Sequence, residues 1–395
     1  VARPRLVTQD SSPGEFPERG GLSGPGLPPR SEFVVVGGGI TGLSAAWALC
    51  RRGREVLVLD QAPVGHLGGG SHGTCRIFRL GYDDPAYVAL ARQARPTWAE
   101  LEEAAGERLL HPAPQLTFGP QMREVHAAMI AAGASCELVT AAEVAARFPA
   151  VAVTGEVLAE LESAVIAADR ALACLGRLIR QAGTVRTDAR VHSLADDGRA
   201  VMVRTSVGDI EADCVIVCAG PWTSRLLATA GIAVPGSATL EQVGYLEPAA
   251  DMSGTAGDDA AQEMPIFVRY GAIFPYGVPV PGSRRYKIGI HHSGTPADPD
   301  EQDQSPDANL SRRIEDAARR FLPGFEPRPV AQERCIYDNT PDTDFVVDLS
   351  GNVVIGSGTS GHGFKFGPLL GEWLADLATK GASPAIPARF ALARF

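Results

Sequence analysis

The chain has 395 residues, 45% hydrophobic and 21% charged, the balance of a globular protein with enough length for two to three domains, and global disorder is excluded. Lys and Arg number 36 against 46 Asp and Glu, a formal charge of −10 with no basic block, which argues against nucleic acid and anionic membrane surfaces as partners. Seven scattered cysteines form no C-x-x-C pair and no zinc-spaced cluster, so they read as reduced thiols of a cytoplasmic protein with no metal site. No run of 18 apolar residues exists, and no membrane span is expected.

Residues 1–31 are expected to be a disordered tail, because eleven of the first thirty are Gly or Pro and no apolar period is visible. They hold no apolar core of a signal peptide, and part of this extension is expected to be a start-site artefact or to be processed. Order is expected from Glu32. Phe33–Val36 is a short continuous apolar strand of the parallel-sheet kind, and a helix follows with Leu43, Ala46, Trp47 and Cys50 on one face and Gly53 as its stop. A second strand is expected over Glu55–Asp60, ending in an acid. Helices are expected over 85–105 and 122–148, and a β-meander over 185–218 that ends in Cys214–Cys218 and the turn Ala219-Gly220-Pro221. Residues 240–295 are strand-rich, with 251–262 and 296–308 as surface loops. Near the end, Asn352–Gly356 is another parallel-type strand before a Gly-rich turn and a helix over Pro368–Thr379.

Between the first strand and helix lies Gly37-x-Gly39-Ile40-Thr41-Gly42, with Asp60 18 residues further on. G-x-G-x-x-G alone is weak, but strand before, helix after and a distal acid make it a dinucleotide signal. Gly37 would make the tight turn, Gly39 would let a pyrophosphate reach the helix N-terminus, Gly42 would let helix and strand pack closely, and Asp60 would take a ribose diol. The motif does not distinguish NAD from FAD.

Three further segments carry a resemblance: GGGSHGTCRIFRLGY after the second strand, ERCIYDNTPDTDFVVD before the last strand, and GSGTSGHGFKFGPLLGEWLADL after it. With them the chain, from about residue 33 to its end, resembles the monomeric sarcosine oxidase and N-methyltryptophan oxidase family of D-amino-acid-oxidase-like flavoproteins; pipecolate oxidases share the pattern. The resemblance implies an α/β fold with a Rossmann-like FAD-binding domain (residues 32–84, 150–225 and 330–395) and an interleaved β-rich substrate domain (85–149 and 226–329). It implies FAD joined to Cys335 by a thioether, and a monomer.

The same resemblance assigns roles. Arg79 and Lys365 match the pair that takes a substrate carboxylate, for which a guanidinium fork and an ammonium suit a dry pocket. Arg76 and Lys287 match basic residues beside the flavin, with Lys287 promoting the reaction with O₂ by stabilising charge that builds on oxygen. His72, Tyr276 and His291 would line the substrate cavity. His362 would support the flavin by geometry, and backbone N–H groups of Gly361, Gly363, Phe364 and Lys365 would face it. Ser71, Val191, Gly220, Trp222 and Gly358 complete the implied cofactor contacts. Read alone, Arg76 and Arg79 are surface charges three apart on a helix, Lys287 is a solvated strand residue and Cys335 is a small buried hydrophobe.

Two departures stand out. Pro275 interrupts the usual aromatic pair at Tyr276, which leaves that residue's alignment open by one position, and Glu241 stands where relatives carry a basic residue before Gln242. The activity implied is oxidation of a secondary amino acid, N-methylated or cyclic, to an imine, with O₂ reduced to hydrogen peroxide. The alternatives are an FAD dehydrogenase of the same fold, a biosynthetic oxidase of a larger or carrier-linked amine, and a catalytically silent flavin binder.

Overall fold

The structure is a computed structural model that describes residues 26–250 and 264–395; the expectations for the chain before residue 26 and for the loop at 251–262 lie outside the described residues. In chain order the elements are β1 (Arg30–Val36), α1 (Ile40–Arg51), β2 (Val56–Leu59), β3 (Cys75–Phe78), α2 (Pro85–Ala105), β4 (Leu110–Pro112), β5 (Gln115–Phe118), α3 (Met122–Ala131), β6 (Glu137–Thr140), α4 (Ala141–Arg147), β7 (Glu156–Glu160), β8 (Ala164–Ala167) and α5 (Ala168–Ile179). There follow β9 (Thr184–Arg186), β10 (Val191–Asp196), β11 (Val201–Thr205), β12 (Gly208–Val217), α6 (Thr223–Ala228), β13 (Ser237–Leu246), β14 (Ile266–Arg269), β15 (Pro275–Pro279), β16 (Tyr286–Ile290) and β17 (Thr295–Pro296). The last are α7 (Ala308–Phe321), β18 (Ala331–Asn339), β19 (Val346–Ser350), β20 (Val353–Ser357) and α8 (Gly367–Lys380).

An eight-stranded sheet has a parallel centre, β9-β2-β1-β12-β20, to which β10-β11 and β19 add antiparallel edges. Its central strands are buried on both faces, which is why they read as unbroken Val, Leu and Ile. On one face lie α1, α5 and α8, with Leu43, Trp47, Leu175 and Leu374 in the core; on the other, Leu194, Val203 and Leu227 close the layer. The strand–turn–helix units at the two ends of the chain are neighbours, since α1 packs along α8. Strand β1 begins at Arg30, three residues before the apolar run: Arg30 and Ser31, expected in the disordered tail, pair with Glu211 and Ala212 and belong to the sheet.

A nine-stranded sheet runs β17-β13-β16-β15-β14-β5-β7-β6, with β18 along the other edge of β13. Strands β15 and β16 form an antiparallel pair, with Tyr276 opposite Gly289 and Val278 opposite Lys287. One face packs Leu246, Phe267, Tyr286 and Ile288 against Ile314 and Phe321 of α7. The other face looks toward the first sheet. A short third sheet, β3-β8-β4, lies between them in sequence.

The helix over 85–105 is as expected: Asp84 accepts a hydrogen bond from the Ala86 N–H, Pro85 opens the helix, and Gly106 ends it in the left-handed conformation. The continuous helix expected over 122–148 is not formed. It is α3, then β6, then α4, because the chain turns at Gly133 (φ 66°) and restarts at a Thr140–Glu143 capping box. The loop over 296–308 crosses to the first sheet's side: Asp300 accepts from the Trp222 indole N–H at 2.8 Å, and Gln302 donates to the Gly68 carbonyl at 2.8 Å. No helix among the described residues is long and apolar enough to cross a membrane.

Candidate active site

The turn after β1 is shaped by contacts that only glycine allows. Gly37 has φ 108°, and a Cβ there would sit 2.2 Å from the Cys218 carbonyl oxygen. At Gly42 a Cβ would sit 2.0 Å from the Gly37 carbonyl oxygen and 3.3 Å from the Cys218 Cβ. Both are far inside van der Waals contact, so α1 can start against β1 and β12 only as written. The helix start is uncapped by any side chain of Gly39; the Ile40 N–H takes the Ser71 hydroxyl at 3.0 Å. Asp60 uses Oδ2 to accept the Gly38 N–H at 2.5 Å and Oδ1 to accept the Ala62 N–H at 3.0 Å.

This helix start opens on one long cavity, about 2370 Å³ with its open mouth counted. Gly37, Gly39, Ile40, Thr41 and Asp60 line one end, together with Val191, Gly220 and Trp222. Ser71, His72 and Arg76 line the middle, as do Gly361, His362, Gly363, Phe364 and Lys365. Gly42 and Gly358 lie outside the lining: Gly42 is packed under α1, and the Gly358 N–H donates to Asp338 Oδ2 at 2.7 Å. A helix N-terminus, glycine-bared backbone and one continuous cavity fit a dinucleotide such as FAD.

The far end is the face of the nine-stranded sheet that looks away from α7. Residues opposite one another in a ladder share a face. Tyr245 opposes Lys287, Val278 opposes Lys287 from the other side, and Tyr276 opposes Gly289. Glu241 opposes Cys335 and Val243 opposes Glu333. One surface therefore carries Tyr276, Lys287, His291, Glu241, Tyr245, Glu333, Cys335 and Tyr337. Pro275 begins β15, and Tyr276 lines the cavity two residues after Phe274.

Arg76 lies in β3, and Arg79 just beyond it, so the two are not on a helix. Arg76 donates to the carbonyls of Cys75, Gly70 and His72 at 2.9, 3.2 and 2.5 Å, and its Nη2 is 4.0 Å from the Cys335 Sγ. Cys335 lies deep in the molecule yet opens onto the cavity; burial pushes its thiol up, while Arg76 and Lys287 pull it down. Lys287 is 4% exposed, not a solvated strand residue. Its Nζ donates to the Cys75 carbonyl at 3.3 Å, and burial together with Arg76 lowers its pKa. His72 is lowered to about 4 by burial and Arg76, with Nδ1 2.7 Å from the Gly69 carbonyl.

Arg79 is buried and stacks over the Tyr82 ring at 4.1 Å. Its Nη1 donates to the Gly81 carbonyl and to Tyr270 Oη, the latter at 2.6 Å. Among the described residues no hydrogen bond uses its Nε or Nη2. The loop that holds it is clamped from behind by Glu160, which accepts the Leu80 and Gly81 N–H groups at 2.7 and 2.9 Å; burial raises that carboxyl to about 7. Lys365 donates to Tyr82 Oη at 2.8 Å and to the His362 carbonyl at 2.7 Å, and burial pushes its pKa well below the ordinary value. Both Arg79 and Lys365 line the cavity and share Tyr82.

His362 has both ring nitrogens engaged, Nε2 with the Thr343 carbonyl at 3.1 Å and Nδ1 with Tyr82 Oη at 3.3 Å, and burial lowers it to about 3. His291 sits edge-on to Phe274, with Nδ1 3.2 Å from Tyr337 Oη, and burial drives it well below the usual histidine range. Glu241 turns inward and accepts the Ser293 and Gly294 N–H groups at 2.8 and 2.6 Å, so it braces the turn that follows His291.

Sequence reading missed Glu333, Tyr245, Tyr337, Tyr82, Tyr270 and Glu160. Tyr337 was within reach, two residues after Cys335 and therefore on its face of the strand. The others depend on strand register or on packing between distant segments.

Residues 32–377 match the family described as FAD dependent oxidoreductase. The chain is 33% identical over 379 residues to the peroxisomal sarcosine oxidase of Mus musculus, covering 92% of this chain and 95% of that one. It is 30% identical over 368 residues to the monomeric sarcosine oxidase of Bacillus sp. (strain NS-129), covering 89% and 93%. The solved structure of NikD, described as an unusual amino acid oxidase essential for nikkomycin biosynthesis, superposes with a TM-score of 0.81 at 26% identity, covering 92% of this chain and 97% of that one. A family match over most of the chain, near-complete coverage of both relatives and a shared fold converge: the chain belongs to the FAD-dependent oxidoreductases, within the group of the sarcosine and N-methyltryptophan oxidases.

Proposed function

We propose that this protein oxidises a secondary amino acid, N-methylated or cyclic, to its imine, and passes the electrons to O₂ to give hydrogen peroxide. The observation that carries the reading is a single cavity with a dinucleotide cradle at one end and three buried cations, Arg79, Lys287 and Lys365, further along it. FAD, when bound, supplies the two-electron chemistry between a C–H bond beside nitrogen and O₂.

The chain's own residues then bind, orient and set charge. Arg79 and Lys365 take the carboxylate, Arg79 through the arm that Tyr270 and Gly81 leave unused. A carboxylate arriving there gives Lys365 the counter-charge that burial denies it, so it is held as an ammonium in the complex. Phe274, Tyr276 and His291 wall the amine side, and His291 is neutral there. No proton acceptor is needed where the amine arrives unprotonated. Lys287, with one long hydrogen bond among the described residues, has N–H donors left for charge that develops on oxygen. Cys335 beside Arg76 is the attachment point we assign to the flavin, because the guanidinium favours the thiolate. Division of the chain into two interleaved parts, a monomeric state and a reducing compartment belong to the same reading; the last is supported by seven unpaired cysteines.

The test is a visible spectrum before and after acid precipitation, followed by peroxide release from N-methyl and cyclic amino acids. Yellow colour retained in the pellet, and lost to the supernatant in Cys335→Ser, is expected. Colour passing to the supernatant in the parent protein removes the thioether. Substrate-reduced protein that reacts with an artificial acceptor but not with O₂ replaces the oxidase with a dehydrogenase.

A further inference from the structure

The two cations beside Cys335 do not stand alone. A Cβ placed on Gly73 would lie 3.3 Å from Arg76 Nη1, 3.4 Å from Glu333 Oε2 and 3.8 Å from Lys287 Nζ. Three charged atoms thus surround one small space that Gly73 leaves bare, and Glu333 and Lys287 are within about 7 Å of one another. The carboxylate is not free to swing, because Tyr245 Oη donates to Glu333 Oε2 at 2.8 Å. Tyr245 is itself the ladder partner of Lys287, and its ring centroid is 5.8 Å from Nζ. Glu333 therefore sits at a fixed place on the cavity face, tied to the strand that carries the lysine's neighbour.

We propose that Glu333, aimed by Tyr245, is a positioning residue that keeps Lys287 in its ammonium form inside the cavity. The inference rests on the oxidase reading, since it concerns the charge that meets oxygen. The groups that face Lys287 are Arg76 and Cys75 from β3, His72 from the turn before it, Glu333 and Cys335 from β18, and Tyr245 from β13. On the sheet's other face α7 presents Ile314 and Phe321, which carry no charge. Burial and Arg76 both act against the ammonium; of the two carboxylates on this face, Glu333 is the one that acts on Lys287, while Glu241 is spent on the Ser293 and Gly294 amides. Without Glu333, two cations would share a desolvated corner with no carboxylate between them, and the lysine is the one that can discharge.

The experiment follows dithionite-reduced holoenzyme reoxidised by O₂ across pH, together with the flavin midpoint potential. In the parent protein the rate is expected to fall with rising pH as Lys287 loses its proton. In Glu333→Gln that fall is expected at lower pH, displaced by roughly one unit, and the midpoint potential measured below it is expected to rise, because a negative charge on the cavity wall is gone. Glu333→Asp is expected to restore most of the displacement, and Tyr245→Phe to give a smaller displacement of the same sign. An unmoved fall in Glu333→Gln overturns the proposal, as does a fall moved to higher pH, or one moved equally in Glu333→Asp. If Glu333→Gln does not hold flavin, Tyr245→Phe decides: a coincident profile and potential overturn the proposal. Failure of the oxidase reading looks different, because the parent protein would then react slowly with O₂ at every pH, and an unchanged potential in Glu333→Gln would still overturn the role of Glu333.

Discussion

The two ends of the cavity are built on opposite principles. At the β1–α1 turn the walls are backbone, and what matters is the absence of side chains: Gly37 and Gly42 let the chain pass within contact of Cys218. On the nine-stranded sheet the backbone is ordinary ladder, and what matters is which side chains alternate onto one face of β13, β15, β16 and β18. The first end is a matter of shape and offers N–H groups. The second is a matter of charge held out of water. Damage to the first should remove the cofactor; damage to the second should leave the cofactor and change what it does.

The largest effect is expected at Gly42. Gly42→Ala places a carbon 2.0 Å from the Gly37 carbonyl, which α1 can relieve only by moving off the sheet. Such overpacking costs about 1–3 kcal/mol, and here it also displaces the helix start. Purified Gly42→Ala protein is expected to be colourless by visible absorbance and to melt lower. A yellow protein of parental absorbance would mean that the cradle tolerates a displaced helix. Lys287→Met is the counterpart on the sheet. It is expected to keep parental colour and substrate reduction while the reduced protein reacts with O₂ about 10²–10³-fold more slowly, the size of effect seen when one charge-stabilising donor is removed. Stopped-flow reoxidation checks it, and a parental rate would remove Lys287 from the oxygen reaction.

A smaller, substrate-specific effect is expected at the cation pair. Arg79→Ala removes one of two buried cations from a carboxylate, a loss of about 2–5 kcal/mol, so KM for amino-acid substrates should rise 30-fold or more with a smaller change in kcat. Steady-state kinetics check it; an unchanged KM sinks the assignment. The pH dependence follows from Lys365, whose pKa in the free protein is pushed down by burial. Carboxylate inhibitors should bind tightest below that value. Above it the protein must take up a proton to bind, and affinity should fall up to tenfold per pH unit. Calorimetry in buffers of different ionisation heat reads that proton directly.

The same contrast governs what could be read from sequence. The cradle is local: six residues and a distal acid state their geometry in one stretch, and β1, α1 and β2 fall where the pattern puts them. On the sheet, Lys287 and His291 share a face because they are four apart on a strand, but nothing local says that Tyr245 opposes Lys287 or that Glu333 lies 88 residues from the tyrosine it accepts from. Register between distant strands is a tertiary fact. Residues 122–148 failed for a different reason. Their helical period is real on both sides, and the signals that divide them, Gly133 and Thr140-x-x-Glu143, were there to be weighed against it.

Glu160 joins the two kinds of construction, since a side chain there holds backbone, and it gives the smallest and most diagnostic effect. The residue is 1% exposed, and its carboxyl is raised from 4.5 to about 7 by burial, against the pull of the Leu80 and Gly81 amides and of Arg79. A carboxyl raised on folding binds its proton more tightly in the folded chain. Its contribution to stability is therefore most favourable below the unfolded value near 4.5 and is lost as pH rises towards about 7, by up to about 3 kcal/mol. Glu160→Gln removes that titration and also faces one of the two amides with a donor, at a cost of about 1–3 kcal/mol. The variant should thus be less stable than the parent protein in acid, with the gap narrowing as pH rises from about 5 to about 7, measured by urea unfolding of the holoprotein. A gap that stays constant would show a carboxylate charged throughout, held by the two amides and Arg79. The Arg79 loop would then rest on a buried carboxylate favoured by the nearby guanidinium charge, and Arg79→Ala should lower stability as well as raise KM.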